Sequence, residues 1–126
     1  MKDKETLKYT EVNKLSSQLN NTKWKKLIKS INSHPDFTPH INYKTIFENE
    51  NNGKFSLVWW EELEQDGFKI IEWMEIKSYK EEYTGRFTPP IITDYSNFIK
   101  NSLDENSIKY TLKNGIFKII GYYRLS

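Results

Sequence analysis

The chain has 126 residues, a formal net charge of +2 from 19 basic and 17 acidic side chains, and no cysteine. This length suits one domain with its own core, and the lack of cysteine excludes disulfides, thiolate metal sites and cysteine nucleophiles. The even charge argues against nucleic-acid and membrane partners, and the charged N-terminus and absence of long apolar runs predict no secretory signal, no membrane span and a cytoplasmic location.

The first predicted element is an N-terminal helix within residues 1–19. Between residues 4 and 19 the apolar positions Leu7, Val12, Leu15 and Leu19 are spaced among polar residues. This spacing is a moderate helical pattern. The pair Asn20-Asn21 interrupts it, and we expect the helix to end there.

A second helix is predicted directly after this interruption. Thr22 is a suitable N-cap, because its hydroxyl can accept a hydrogen bond from the first turn. The apolar residues that follow are spaced i, i+3, i+4, i+7, which places them on one face; they are Trp24, Leu27, Ile28 and Ile31. The residue before a proline avoids helical geometry, so His34-Pro35 ends the helix.

Three strands are predicted next, over residues 42–48, 54–63 and 68–77. Asn52-Gly53 and Asp66-Gly67 separate them, and both dipeptides are typical of tight hairpin turns. Alternating apolar residues within each segment support extended structure. The pattern predicts a three-stranded antiparallel meander.

The remaining chain predicts an irregular segment, a helix and a closing hairpin. Residues 78–92 have no clean period. A helix capped by Thr93 or Asp94 follows, with an apolar face made of Tyr95, Phe98, Ile99 and Leu103. Strands are predicted at residues 107–113 and 116–124, joined by a turn at Asn114-Gly115.

These elements predict a single α+β domain over residues 1–126, with an N-terminal helical segment at 1–19 and the α+β core at 20–126. The order is α-α-β-β-β-α-β-β. We expect a five-stranded, mainly antiparallel sheet with the helices packed on one face. The pattern leaves the spatial order of the strands open.

Several short stretches, in this order, resemble a family of small bacterial proteins classed only as a domain of unknown function. They are Leu19–Trp24, Ile71-Glu72-Trp73 with Ile76, Gly85-Arg86-Phe87 with Pro89-Pro90, Asn114–Phe117, and Gly121-Tyr122. The resemblance runs from about residue 15 to residue 124. It implies no established activity. Small domains of this kind are often similar to immunity proteins of bacterial toxin systems, and this likeness suggests a toxin as partner.

Glu72 is a carboxylate on the apolar side of the third predicted strand. Alternation places it on the same side as Phe68, Ile70, Met74 and Ile76. A buried carboxylate needs a partner, and Arg86 in the following loop can supply a guanidinium. We interpret Glu72 with Arg86 as a structural anchor; a ligand site and a general acid or base are the alternatives. A β-bulge between Ile70 and Glu72 would instead turn the carboxylate to solvent.

The stretch from Trp59 to Asp66 is the second candidate site, placed by the prediction at a hairpin tip. Adjacent tryptophans on a strand face opposite sides, so one of them is expected to leave the core. An exposed aromatic residue among acids suits docking onto a basic partner. The predicted partner-binding residues are Trp60, Glu61, Glu62, Glu64 and Asp66. A solubilising hairpin with Trp60 covered is the alternative.

Other chemistries have little support in the sequence. His34, Asp36 and His40 lie in a proline-containing loop whose spacing matches no common metal site, and no phosphate-binding loop or nucleophile elbow occurs. The lysines around Trp24 are interpreted as the solvent-exposed face of the second helix. We therefore predict no metal and no cofactor.

The sequence favours a non-enzymatic protein-binding domain. The leading hypothesis is an immunity protein that neutralises a bacterial toxin by direct contact with a basic surface, as a monomer or homodimer. The alternative is a small-ligand-binding or enzymatic domain with a pocket around Glu72 and Arg86.

Overall fold

The computed structural model describes residues 2–13 and 15–124 and confirms the α+β class. Its helices are α1 (Lys2–Val12), α2 (Asn21–Ile31), α3 (Trp60–Asp66) and α4 (Ser96–Glu105), with a short 3-10 turn at Phe68–Ile70. Its strands are β1 (Leu15–Ser17), β2 (Ile41–Thr45), β3 (Ile71–Lys77), β4 (Tyr79–Glu82), β5 (Ile91–Asp94), β6 (Thr111–Lys113), β7 (Ile116–Ile120) and β8 (Tyr122–Arg124).

The strands form more than the one sheet that was predicted. A four-stranded sheet has the order β2-β3-β7-β6, and two smaller sheets pair β1 with β8 and β4 with β5. All the strand pairs within these sheets are antiparallel. The four-stranded sheet ends in β2 at one edge and β6 at the other, and these two edges carry the surfaces described below.

One face of the four-stranded sheet forms the core, with α2 and α4 packed over it. Met74 and Ile76 of β3 and Phe117 and Ile119 of β7 are fully buried there. The predicted helical faces supply the opposite side, because Trp24, Leu27, Ile28 and Ile31 of α2 and Ile99 and Leu103 of α4 are buried in the same cluster. The expectation of helices on one face is confirmed.

The N-terminal helix differs from the prediction in length and in orientation. It ends at Val12, and Leu15–Ser17 is a strand because it pairs with Tyr122–Arg124. The apolar Leu7 and Val12 are exposed, whereas the polar Thr6 and Thr10 are buried. The spacing of Leu7 and Val12 therefore does not mark the buried side of this helix.

Helix α2 begins two residues earlier than expected. Asn20 is its N-cap, and the side-chain oxygen of Asn20 accepts a hydrogen bond from the Lys23 backbone N–H at 2.8 Å. The proposed cap, Thr22, lies inside the helix. At the other end Asn32 caps the helix, two residues before His34.

The predicted meander of three strands was wrong in its middle. Residues 54–63 form no strand; Ser56 alone makes a bridge, to Ile41, and α3 begins at Trp60. Asp66-Gly67 is not a hairpin turn either. Gly67 has φ +90° and its backbone N–H bonds to the Leu63 carbonyl at 3.0 Å, so it ends α3.

The segment predicted as irregular is a β-hairpin. Strands β4 and β5 pair antiparallel, from Tyr79 opposite Asp94 to Glu82 opposite Ile91. The hairpin has little apolar burial on either side, since Ile91 and Ile92 are both exposed. An alternating pattern is therefore absent from its sequence, and the hairpin could not be found from periodicity.

The closing hairpin has the predicted turn but a broken final strand. Asn114 and Gly115 both have positive φ, at +51° and +77°, as a tight hairpin turn requires. The strand expected over 116–124 is split at Gly121, which lies so close to β3 that an added Cβ would collide with the Ile71 carbonyl oxygen. The chain then leaves the large sheet and pairs with β1.

Within the described residues, none of the helices has the length and apolar character that crossing a bilayer requires.

Candidate functional site

The acidic stretch from Glu61 to Asp66 lies on helix α3 rather than at a hairpin tip. Leu63 is buried and fixes the helix to the core. Glu61, Glu62 and Glu64 are exposed, and Asp66 is half-buried. Glu61 and Glu62 stand in the first turn, where the positive end of the helix dipole favours negative charge. The helix therefore presents acids to solvent while one leucine anchors it.

The two adjacent tryptophans have the opposite environments from those predicted. Trp60 is half-buried and packs against the core cluster. Trp59, which comes directly before the helix, is 81% exposed. The prediction named Trp60 because it assumed a strand; the start of a helix directs the two side chains differently. Trp59 is the aromatic residue that accompanies the acids.

A second acidic segment, which sequence reasoning missed, reaches the same region. The pKa of Tyr43 is raised, first by burial and then by the negative charges of Glu48, Glu62 and Asp66. Glu48 comes from the loop after β2, while the other two acids belong to α3. Tyr43 thus reports that the two segments converge at the β2 edge of the sheet.

Two adjoining cavities lie where the two acidic segments meet, and Tyr43 lines both of them. One, of about 530 Å³, is lined by Glu48 and Glu50 and also by Lys54. The other, of about 290 Å³, is lined by Trp59, Glu62 and Asp66. We define the acidic surface by its five acids and its tryptophan; they are Glu48, Glu50, Trp59, Glu61, Glu62 and Asp66.

Glu64 has a different setting from the other acids of α3. Its carboxylate lies 3.6 Å from the ammonium group of Lys25 on α2, and both side chains are 58% exposed. This contact ties α3 to α2 at the surface. Glu64 therefore lies beside the acidic surface and has its charge partly balanced within the chain.

Glu72 is buried inside the protein beside a cation that was not predicted. The residue is 7% exposed, and its Oε2 lies 2.9 Å from the ammonium nitrogen of Lys44. Lys44 is a neighbour on β2, and its own side chain is 11% exposed. A close ion pair of this kind meets the need of a buried carboxylate for a partner.

A β-bulge places Glu72 beside Lys44. Lys44 is paired with Trp73 and Thr45 with Ile71, so the register skips Glu72. The sequence-based alternative held that a bulge here would turn the carboxylate to solvent; the bulge exists, and the carboxylate is nevertheless buried. On the side of β3 that faces away from β2, the Gly121 N–H donates a hydrogen bond to the Glu72 carbonyl at 2.7 Å.

Arg86 lies away from this pair, in the exposed turn between β4 and β5. The centre of its guanidinium is 5.8 Å from the ring centroid of Phe87. The structure thus brings Glu72 together with Lys44 rather than with Arg86. Neither Glu72 nor Arg86 lines the cavities at the β2 edge.

The histidine loop has structural contacts. His34 packs edge-on against Tyr95 and Phe98, with ring centroids 5.0 Å apart in each case, and its Nδ1 accepts a hydrogen bond from the Asp36 backbone N–H. His40 lines an open cavity of about 780 Å³ between this loop and β4. Across residues 2–13 and 15–124, no three histidine or carboxylate side chains are grouped so as to hold a metal ion.

Comparison with known proteins places the chain in a family without assigning an activity. The model of DUF6678, described as a family of unknown function, matches residues 6–126. Neither the curated proteins nor the solved structures contain a match. Function must therefore be argued from the acidic surface itself.

Proposed function

The chain belongs to the DUF6678 family of unknown function, and we propose that it is a non-enzymatic protein-binding domain whose acidic surface binds a basic partner. The observation that carries the proposal is the position of Trp59. It is 81% exposed at the start of α3 and shares a cavity with Glu62 and Asp66. Tryptophan is among the residues most enriched in binding hot spots, and charges around such an anchor steer the encounter.

The exposed ring of Trp59 supplies the main apolar contribution to binding. Covering most of an exposed tryptophan side chain is worth roughly 4 kcal/mol before the costs of association are counted. Leu57, which is 57% exposed and lines the same cavity, extends the apolar contact. A partner with an apolar pocket is therefore favoured over solvent at this position.

The carboxylates of the acidic surface can steer the approach of a charged partner. Five carboxylates from two segments of the chain outnumber Lys54, the one lysine among the described residues that line these two cavities, so we expect a negative field on this side although the whole chain has a net charge of +2. Such a field speeds association with a positive surface and disfavours negative partners. We therefore propose a partner whose binding face is rich in lysine and arginine.

Within this class, we propose that the chain is an immunity protein that acts in the bacterial cytoplasm by occluding a cognate toxin. A toxin that cleaves nucleic acid needs a basic face for phosphate contacts, and the acidic surface is complementary to such a face. Inhibition then requires only coverage of the toxin's site, with no cofactor and no turnover.

Co-expression with the product of the adjacent gene tests this proposal. We expect the wild-type chain to suppress toxicity and to form a complex that weakens as salt is raised. The variant Trp59→Ala, combined with Glu61→Gln and Glu62→Gln, is expected to lose protection while it remains folded. The matched control, Glu11→Gln with Glu105→Gln, removes two exposed charges elsewhere and should protect fully. Toxicity that persists beside the wild-type chain contradicts the immunity function.

A further inference from the structure

A second cavity, at the opposite edge of the four-stranded sheet, has the reverse charge. It lies beside β6 and β7 and has a volume of about 330 Å³. Three lysines line it, namely Lys23, Lys109 and Lys118. No carboxylate occurs among the described residues that form its wall. The lysines come from α2, from the segment after α4 and from β7, so the fold rather than one charged stretch brings them together.

Two of the ammonium groups are held in place by neutral partners. Lys23 donates a hydrogen bond from Nζ to the Ser107 carbonyl oxygen at 3.1 Å. Lys118 Nζ lies 4.6 Å from the ring centroid of Trp73. Ser107 has φ +55° because it ends α4, where its N–H bonds to the Asp104 carbonyl at 3.1 Å and the Ile108 N–H bonds to the Leu103 carbonyl at 3.0 Å. Both ammonium groups thus have neutral contacts that position them, and Glu75 of β3 is the cross-strand neighbour of Lys118.

Some lysines elsewhere in the described chain are paired with acids, whereas others, such as Lys26 and Lys54, have no ion pair there either. Lys25, Lys44, Lys77, Lys80 and Lys100 each have a carboxylate oxygen within 4.0 Å. Among the described residues, no such ion pair involves a lysine of the cavity. Three positive charges that share a small concave space repel one another, and an anion that binds between them removes this repulsion.

Aromatic rings complete the wall. Tyr110 is half-buried and is held edge-on against Phe117, with ring centroids 5.3 Å apart. Tyr123 lines the same cavity and is 56% exposed. Planar heterocycles stack on such rings without needing a specific hydrogen-bond pattern.

We propose that this cavity binds a small ligand that joins a phosphate to a planar ring, that is, a mononucleotide. The lysines contact the phosphate, and the tyrosines contact the base. The volume lies at the lower end of the range for small-molecule sites, which suits one nucleotide. This site is independent of the acidic surface, because the two occupy opposite edges of the sheet.

Titration of the full chain with adenosine 5′-monophosphate, followed by NMR and by tryptophan fluorescence, tests the proposal. We expect saturable binding that perturbs Tyr110, Tyr123 and Trp73. Inorganic phosphate and adenosine are expected to bind at least about tenfold more weakly, because each offers only half of the contacts. Absence of binding at about 1 mM adenosine 5′-monophosphate overturns the proposal.

Variants locate the site. Lys23→Gln and Lys118→Gln are each expected to weaken nucleotide binding about tenfold, since each removes a charged hydrogen-bond donor. Lys26→Gln is the matched control, because Lys26 is an exposed lysine of the same helix as Lys23 and does not line the cavity. Equal binding by all three variants, each shown to be folded by its thermal transition, rules this cavity out. A short single-stranded oligonucleotide that binds more than about tenfold tighter than the mononucleotide would assign the surface to nucleic acid instead.

Discussion

Glu72 and the acids of α3 use the same chemical group in opposite ways. The Glu72 side chain is 10% exposed and its carboxylate lies 2.9 Å from the Lys44 ammonium group, whereas Glu64 lies 3.6 Å from Lys25 with both side chains 58% exposed. Exposed pairs contribute roughly 0–1 kcal/mol, but removal of one partner from a buried pair costs several kcal/mol. Charge at the sheet bulge therefore supports the fold, while charge on α3 can be changed with little effect on stability and is available for binding.

The largest expected effect comes from removing the cation of the buried pair. Lys44→Met should lower the free energy of unfolding by about 3–5 kcal/mol, because Glu72 would keep its buried charge without this ammonium group. Denaturant titration measures the change. Lys25→Met is the control at the exposed pair, and we expect a loss below about 1 kcal/mol.

A double variant sharpens this test. If the cost of Lys44→Met comes from the charge left on Glu72, then adding Glu72→Met should restore part of the lost stability. Equal free energies of unfolding for the single and double variants would show that Lys44 does not stabilise the protein through its ion pair with Glu72.

Local patterns predicted the part of the fold that regular burial determines. The helical stripe from Trp24 to Ile31 was found because a helix packed on a sheet must bury one face, and the turn at Asn114-Gly115 was found because its φ values select its residues. Residues 54–63 were misinterpreted because their alternation resembles a strand. In the structure Leu57 and Trp59 are exposed, so this alternation does not reflect burial.

The candidate site was predicted only in part, since it depends on contacts between distant segments. The acids of α3 are adjacent in sequence and were found, but Glu48 and Glu50 join them only after β2 is placed at the sheet edge. The partner of Glu72 depends on register. A shift of one residue opposite Lys44 decides which cation the carboxylate meets, and no local pattern encodes it.

The two tryptophans provide the next test, with an intermediate effect. Trp60→Ala should destabilise the protein by about 2 kcal/mol, because its half-buried ring packs on the core. Trp59→Ala should change stability by less than about 0.5 kcal/mol, since the ring is 81% exposed. Thermal unfolding of both variants compares them. A larger loss for Trp59→Ala would mean that this residue supports the fold rather than a partner contact.

The smallest expected effect concerns the titration of Tyr43, which reports the field of the acidic surface. Burial and the charges of Glu48, Glu62 and Asp66 raise the pKa of its hydroxyl above the usual 10.0. A group whose pKa is raised by folding contributes stability that is complete below its unfolded pKa and is lost as pH rises through its folded pKa. Stability should therefore fall above about pH 10 in part through Tyr43.

Glu62→Gln should lower the pKa of Tyr43 modestly in an ultraviolet titration, and Glu105→Gln should leave it unchanged. An equal pKa in both variants would mean that the charge of Glu62 does not act on Tyr43.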